Sequence, residues 1–183
     1  MKKPILFSAL LGVAICLSGS AAAAPTAEAK AAYSHAKDRA DADYKAAKAR
    51  CDAITGNPKD VCKAEANAAR VRAREEASAL YQNTLKSFTQ SRLKIADALY
   101  ARDKAKCKAL TGNDKDVCIK QAKSTLVASQ ADATADKKAI EARTDARDDK
   151  RTAEYKVAIE KCDAFAGAAK DGCVTSAKAQ YGK

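Results

Sequence analysis

Apolar residues recur with helical spacing around three pairs of cysteines. In each copy a tyrosine lies seven residues before the first cysteine, and a large apolar residue lies three residues after it. The tyrosines are Tyr44, Tyr100 and Tyr155, and the apolar residues are Ile54, Leu110 and Phe165. Seven and three residues approximate whole helical turns, so each set is predicted to share one helix face. We interpret this face as a helix-packing surface rather than a ligand site.

Each cysteine pair also encloses a turn signal. A glycine follows the first cysteine by five residues, at Gly56, Gly112 and Gly167. Glycine readily adopts the left-handed conformation that ends many helices, so each is predicted to end a helix. Asn57 and Asn113 come next and are candidate N-caps of a second helix. Each unit is therefore predicted to be an αα-hairpin.

Long uninterrupted stretches connect these turns. No further glycine or proline occurs from Pro58 to Leu110, or from Asp114 to Ala166. Each stretch is predicted to be one helix of roughly 80 Å. The first contains an apolar seam formed by Leu85, Phe88, Ile95 and Leu99. In the second, Ile140 is the only large aliphatic residue within 131–155, which predicts a solvated helix.

The predicted fold is all-α, with elongated antiparallel helices joined by three disulfide-stapled αα-hairpin turns. The helical region spans residues 24–183 and contains three C-x10-C hairpin repeats, at about 44–66, 100–122 and 155–177. The first cysteines of the repeats are 56 and 55 residues apart, a spacing typical of one structural unit copied twice.

The start of the chain has the pattern of a cleavable signal peptide. Residues 1–23 combine two lysines, a short apolar run and small residues, with cleavage predicted near Ala22 or Ala23. The apolar run is shorter than the roughly 20 residues that a spanning helix needs, so no membrane span is expected after cleavage. Export to the periplasm is therefore predicted, and removal of the signal takes Cys16 with it.

Six cysteines then remain, which in an exported chain indicates a disulfide framework. Six cysteines allow many connectivities. The repeat and the local spacing favour the pairs Cys51–Cys62, Cys107–Cys118 and Cys162–Cys173. In each pair the two cysteines lie at similar heights on antiparallel helices, on opposite sides of the turn. Each bridge is predicted to staple two weakly hydrophobic helices together.

The amino-acid composition explains why disulfide bridges are expected to be important for the stability of this chain. Alanine supplies much of the 47% hydrophobic content, and large aliphatic residues are few. Little apolar surface is then available to offset the entropy of the ordered chain. Alanine, lysine, arginine and glutamate are nevertheless the best helix formers. The chain is therefore predicted to be helical without a thick core.

Catalytic and metal-binding patterns are weak. His35 is the only histidine and is expected to be exposed on a helix surface, so no enzyme activity is expected. Structural zinc sites use cysteines with two to four residues between them, whereas ten residues lie between the two cysteines of each pair here. No metal or other cofactor is expected. The chain also lacks the C-x-x-C motif of thiol oxidoreductases.

The net positive charge of the chain affects which partners it is expected to bind. The net charge of +11 falls to +9 when Lys2 and Lys3 leave with the signal. A basic surface attracts polyanions, but acidic and basic residues alternate in stretches such as EARTDARDDKRTAEYK, which favours a solvated face. No specific nucleic-acid partner is expected. Candidate partners are other envelope proteins, anionic envelope components and a second copy of the chain.

The repeated block Y-x6-C-[DK]-A-[ILF]-[TA]-G-x3-D-[VG]-C, together with the ending AKAQYGK, resembles a group of short exported proteins. These are Ala- and Lys-rich helical repeat proteins of Gram-negative bacteria, some of them labelled TolA-like after the helical middle region of the envelope protein TolA. The resemblance covers the three hairpins. It implies a location in the cell envelope and a helical structure rich in alanine and lysine.

Three functional hypotheses follow. The favoured one is a non-enzymatic periplasmic structural or interaction protein of the cell envelope. The second is a chaperone-like or polyanion-binding periplasmic module, which predicts salt-sensitive association. The third is a thiol-based metal or redox protein, which predicts reduced cysteines.

Overall fold

The computed structural model describes residues 26–183, whose regular structure is entirely α-helical. The five helices are α1 (Ala27–Asp52), α2 (Gly56–Gln82), α3 (Leu85–Cys107), α4 (Gly112–Cys162) and α5 (Gly167–Tyr181). The predicted all-α fold is therefore confirmed. The predicted signal peptide, residues 1–23, lies outside the described residues.

Each helix contacts only the helices that precede and follow it in the chain. The burial pattern of α2 and α3 explains this arrangement. Ala66 and Ala68 are both buried in α2, and Ala96 and Ala98 are both buried in α3. Residues two positions apart lie on nearly opposite sides of a helix, so each inner helix is covered on two opposite sides. The first four helices therefore form a single layer without a common core.

Nearly all of the fully buried side chains are small. The buried residues in the described part of the chain are alanines, two serines, the first cysteine of each pair and one large aliphatic residue, Leu126. Small residues allow helices to approach closely, but each buries little apolar surface, worth about 0.8 kcal/mol per methylene-sized group. The predicted thin core is therefore present between each pair of helices.

The predicted apolar seam of α3 does not form the main helix contact. Ser87, Ser91, Ala98 and Ala105 are buried, whereas Phe88 is exposed. The spacings between these four buried residues are four, seven and seven positions, so they lie along one side of the helix. Close packing of α3 between two neighbours selects small side chains, and the larger Leu85, Ile95 and Leu99 are only half-buried.

The stretch from Pro58 to Leu110 is two helices rather than the one helix predicted. The chain reverses at Asn83, which has a left-handed backbone with φ of 46°. Thr84 then caps α3: its Oγ1 accepts from the Ser87 amide at 3.0 Å, and its own amide donates to Ser87 Oγ at 3.1 Å. This reciprocal capping box starts a helix without glycine or proline, which is why a search for those residues misses the turn.

The second long stretch is one continuous helix, as predicted. Helix α4 has 51 residues, which corresponds to roughly 77 Å. Counted from the flanking cysteines, the position of Asn83 corresponds to Lys138 or Ala139 in α4, where no capping sequence follows. The helix therefore continues, and its residues 145–151 are all exposed, in agreement with the predicted solvated face.

Helix α4 joins two parts of the molecule. Its first half packs along α3, where Arg92 Nη1 lies 2.6 Å from Asp136 Oδ2. Its last turns pack against α5, and Lys183 Nζ donates to Thr152 Oγ1 at 3.1 Å. The turns of the first two hairpins lie side by side at one end of the layer, where Lys108 Nζ is 3.8 Å from Asp60 Oδ2. None of the five described helices combines the length and apolarity of a bilayer-crossing segment.

We predict that the capping box determines the turn between α2 and α3. The variant Thr84→Ala/Ser87→Ala removes both reciprocal hydrogen bonds, and the free energy of unfolding should fall by about 1–2 kcal/mol. Urea denaturation followed by circular dichroism measures this change. The matched variant Ser34→Ala/Ser124→Ala changes two exposed helical serines and should leave the midpoint unchanged. Equal midpoints for all three proteins would contradict the prediction.

Candidate functional site

Three disulfides join consecutive helices. Cys51–Cys62 links α1 to α2, Cys107–Cys118 links α3 to α4, and Cys162–Cys173 links α4 to α5, each with a Cα–Cα distance of 5.6 Å. The predicted pairing is confirmed. We refer to the three linked helix pairs as the first, second and third hairpins. Intramolecular disulfides indicate an oxidising, extracytoplasmic compartment.

The two cysteines of each bridge differ in exposure. Cys51, Cys107 and Cys162 are at most 1% exposed, whereas their partners are half-buried. One turn after each second cysteine lies a buried alanine, at Ala66, Ala122 and Ala177. The spacing C-x3-A is visible in the sequence at all three hairpins, but was not among the predicted packing residues. It places a small buried side chain one helical turn after the second cysteine of each bridge.

The glycine turns differ from the prediction. Gly56, Gly112 and Gly167 are left-handed, with φ of 66°, 55° and 55°, but each is the first residue of the second helix and does not end the first. The first helix closes earlier: in the first hairpin the amide of Ile54 donates to the carbonyl of Cys51 at 3.1 Å.

Asn57 and Asn113 are therefore not N-caps, and that prediction is wrong. The capping positions are Thr55 and Thr111, followed by Ala166 in the third hairpin. Because glycine reverses the chain before asparagine is reached, both asparagines already lie inside the first turn of their helices. None of these three capping residues makes a side-chain hydrogen bond to the helix.

Because the first helix of each hairpin ends early, the large apolar residue after it does not lie where it was predicted. Ile54, Leu110 and Phe165 are 37%, 41% and 52% exposed, so their predicted role in helix packing is wrong. They lie in the turn rather than on the face that contains the cysteine. Each hairpin therefore presents one large apolar side chain to solvent at its tip.

The predicted tyrosines are half-buried against the neighbouring helix, each with a different partner. The Arg70 guanidinium carbon lies 4.4 Å from the centroid of the Tyr44 ring, and Lys123 Nζ lies 5.5 Å from that of Tyr100. Tyr155 meets the edge of Tyr181, with ring centroids 6.2 Å apart. These contacts agree with a packing role.

One further aromatic contact was not among the predicted packing residues. The rings of Tyr33 and Tyr81 stack with centroids 4.7 Å apart, between the beginning of α1 and the end of α2. The first hairpin is thus closed at one end by its disulfide and at the other by this stack. The corresponding position to Tyr33 in the second hairpin is Thr89, so the sequence repeat did not indicate the contact.

Ion pairs surround the tips of the hairpins. Lys63 Nζ lies 3.1 Å from Asp52 Oδ1, and its hydrogen bond and charge lower the pKa of Asp52. Lys170 Nζ lies 2.8 Å from Asp163 Oδ1, and this hydrogen bond raises the pKa of Lys170. In the second hairpin the corresponding position to Asp52 is Lys108, which pairs instead with α2. The lysine at this position therefore forms an ion pair between the tips of the first two hairpins.

A cluster of charged side chains lies in a cleft of about 610 Å³ between α1 and α2. Its lining residues are Asp41, Tyr44, Lys45, Lys48, Arg70 and Arg74. An Nη1 donor of Arg74 bonds to Asp41 Oδ2, and Arg70 Nη1 lies 3.9 Å from Asp41 Oδ1. The cysteine-based sequence patterns did not point to this cleft, because its residues come together only when the hairpin closes. We call it the basic groove.

The remaining chemical groups are unremarkable in position. His35 is exposed on α1, as predicted. Within residues 26–183, no group of three or more histidine, cysteine, aspartate or glutamate side chains is arranged to hold a metal ion. Comparison with protein-family models, curated proteins and solved structures finds no match to this chain.

We predict that the third hairpin depends most on its bridge. Helix α5 has 15 residues and contacts only α4, and a helix of about that length is marginal on its own. In the variant Cys162→Ala/Cys173→Ala, the amides of α5 should lose hydrogen-exchange protection. The bridge contributes on the order of 3 kcal/mol.

The control is Cys107→Ala/Cys118→Ala, which removes the bridge of the second hairpin. Helix α3 also packs against α2, so its amides should remain protected. The prediction fails if α5 in the first variant stays as protected as in the parent protein. It also fails if α3 loses protection to the same extent as α5.

We also predict that the alanine beside each bridge cannot be enlarged. Ala122→Leu should lower the free energy of unfolding by about 1–3 kcal/mol, because the added atoms overpack the contact between α3 and α4. Ala128→Leu on the exposed side of the same helix is the matched control and should change stability little. Thermal denaturation distinguishes the two, and an unchanged melting temperature for Ala122→Leu would show that the helices can separate without loss.

Proposed function

We propose that this chain is a non-enzymatic periplasmic protein that acts as a structural or interaction component of the cell envelope. The contact pattern carries the proposal. Each helix touches only its neighbours in the chain, so the two faces of the helical layer are not covered by any other described part of the protein. A chain folded in this way presents a large surface for its mass, which suits contact with other macromolecules.

The length of α4 supports a spacing role. This helix joins the layer of α1 to α4 to the third hairpin, and its exposed residues 145–151 lie between the two. Disulfides lock the turns at both ends of the helix. The arrangement can hold two contact surfaces apart at a defined distance.

Exposed apolar residues indicate where contacts form. Leu80 is 69% exposed and Phe88 is 37% exposed, and the two flank the turn between α2 and α3. Farther along α4, Val157 and Tyr181 line a groove of about 690 Å³ beside the third disulfide. Apolar positions at separate places favour interaction partners over a single enclosed substrate site.

Location rests on two features. The predicted signal peptide directs export, and the three disulfides fit the oxidising periplasm. The bonded state of all six described cysteines favours a structural role for them over thiol-based metal or redox chemistry. The resemblance to TolA-labelled envelope proteins remains a prediction in line with this proposal.

Cell fractionation combined with photo-crosslinking tests the proposal. The processed, fully oxidised protein is expected in the periplasmic fraction, as checked by intact mass with and without reduction. A photoreactive amino acid at Leu80 or Phe88 should give discrete crosslinked species, including any with a second copy of the chain. The same amino acid at Asp148, on the exposed stretch of α4, is the control.

Two results would contradict the proposal. An unprocessed, reduced protein in the cytoplasmic fraction would exclude the envelope location. Identical crosslinks from Leu80, Phe88 and the Asp148 control, or none from any of them, would exclude a specific interaction surface at the turn between α2 and α3.

A further inference from the structure

The basic groove brings four cationic side chains around one carboxylate. Lys45 and Lys48 come from α1, Arg70 and Arg74 come from α2, and Asp41 is the single acid among the lining residues. Asp41 already contacts both arginines. Neither lysine forms an ion pair with another residue in the part of the chain that the structure describes. The groove therefore has a local excess of positive charge.

The charge arrangement is unfavourable for the helices by themselves. Lys45 and Lys48 are three residues apart, and Arg70 and Arg74 are four residues apart, so each helix places two like charges on one face. Such pairs destabilise a helix by a few tenths of a kcal/mol. Two further atoms, Arg70 Nε and Asp41 Oδ1, are buried without a hydrogen-bond partner among the described residues. An anion bound in the groove would offset the repulsion between the like charges.

The second hairpin shows that the fold does not need these cations. Counted from the cysteines, Lys45, Arg70 and Arg74 of the first hairpin correspond to Ala101, Leu126 and Gln130 of the second. Asp41 corresponds to Asp97, and Gln130 Nε2 donates to Asp97 Oδ1 at 2.9 Å. A neutral amide thus makes the same cross-helix contact that Arg74 makes to Asp41.

Three of the four cations are therefore absent from a hairpin that closes with the same disulfide geometry, with a Cα–Cα distance of 5.6 Å in both. Only Lys48 has a basic counterpart, Lys104. Since the scaffold forms without the other charges, their presence in the first hairpin calls for a role other than closing it.

The arginine geometry indicates the chemistry of the ligand. Arg70 stacks on the Tyr44 ring at 4.4 Å and donates through Nη2 to Asn67 Oδ1 at 3.3 Å, so its guanidinium plane is held in place. A fixed guanidinium matches the paired oxygens of a phosphate group, and exposed lysines add mobile charge. We infer that the basic groove binds a phosphate-bearing anion. The inference does not depend on the proposed structural role, because it concerns the first hairpin alone.

Calorimetric titration of the full, oxidised chain with pyrophosphate at low ionic strength tests this binding. The variant Lys45→Ala/Arg70→Leu/Arg74→Gln introduces the residues that the second hairpin already uses, so it should keep the fold. Its affinity for pyrophosphate should fall at least about tenfold. Lys138→Ala/Arg143→Leu/Arg147→Gln removes the same three charges from exposed positions of α4 and should bind as the parent does.

A second variant distinguishes loss of binding from loss of the fold. Lys45→Ala/Lys48→Ala changes only exposed side chains and should weaken binding while leaving the circular dichroism spectrum unchanged. Equal weakening in the groove variant and the α4 variant would show that net charge alone attracts the anion, and would overturn the inference. Absence of pyrophosphate binding by the parent protein would also overturn it.

Vesicles distinguish the two sources of a phosphate group. In flotation with vesicles of phosphatidylglycerol and phosphatidylcholine, binding that requires the groove residues and that pyrophosphate displaces would assign the site to a lipid headgroup. Groove-dependent pyrophosphate binding without flotation would assign it to a soluble phosphate ester. Either result supports the site, provided that the α4 variant behaves as the parent.

Discussion

A covalent link across three of the four contacts between consecutive helices is the interaction on which most of this structure depends; among the described helices, only α2 and α3 meet without a bridge. Helices that meet through alanine and serine bury little apolar surface, so packing alone offsets only a small part of the entropy of ordering two helices. A disulfide across the turn shortens the closed loop in the unfolded chain and so reduces that entropy. Small residues and bridges are thus complementary: the first allow the helices to approach closely, and the second keep them together.

Much of the fold could be predicted because its determinants are local. Cysteine spacing, glycine in the turn and high helix propensity all act within a few residues of each other, and they indicated the hairpins and the bridges. The same locality explains one failure. The break after α2 depends on a hydrogen-bonded pair, Thr84 and Ser87, in a stretch whose composition otherwise favours a continuous helix. A weak capping signal decided between one helix and two.

The remaining features depend on where each helix ends and on how the helices pack against one another, which the order of residues along the chain does not show. Ile54, Leu110 and Phe165 have the right spacing for a packing face, but the helix ends before that spacing applies. The basic groove could not be read along the chain, because Asp41 and Arg74 are 33 residues apart and meet only across the closed hairpin. Corresponding positions of the first two hairpins then distinguish the residues that hold the scaffold from the residues that vary on it.

The exposed stretch of α4 at residues 145–151 has a consequence for how the molecule unfolds. No neighbouring helix covers those side chains, so packing energy is not shared across that stretch. The first four helices and the third hairpin are consequently expected to unfold as separate cooperative units, although one helix runs through both. A melting temperature for the whole chain would then combine two stabilities, and the unfolding free energies of the capping and alanine variants refer to the unit formed by the first four helices.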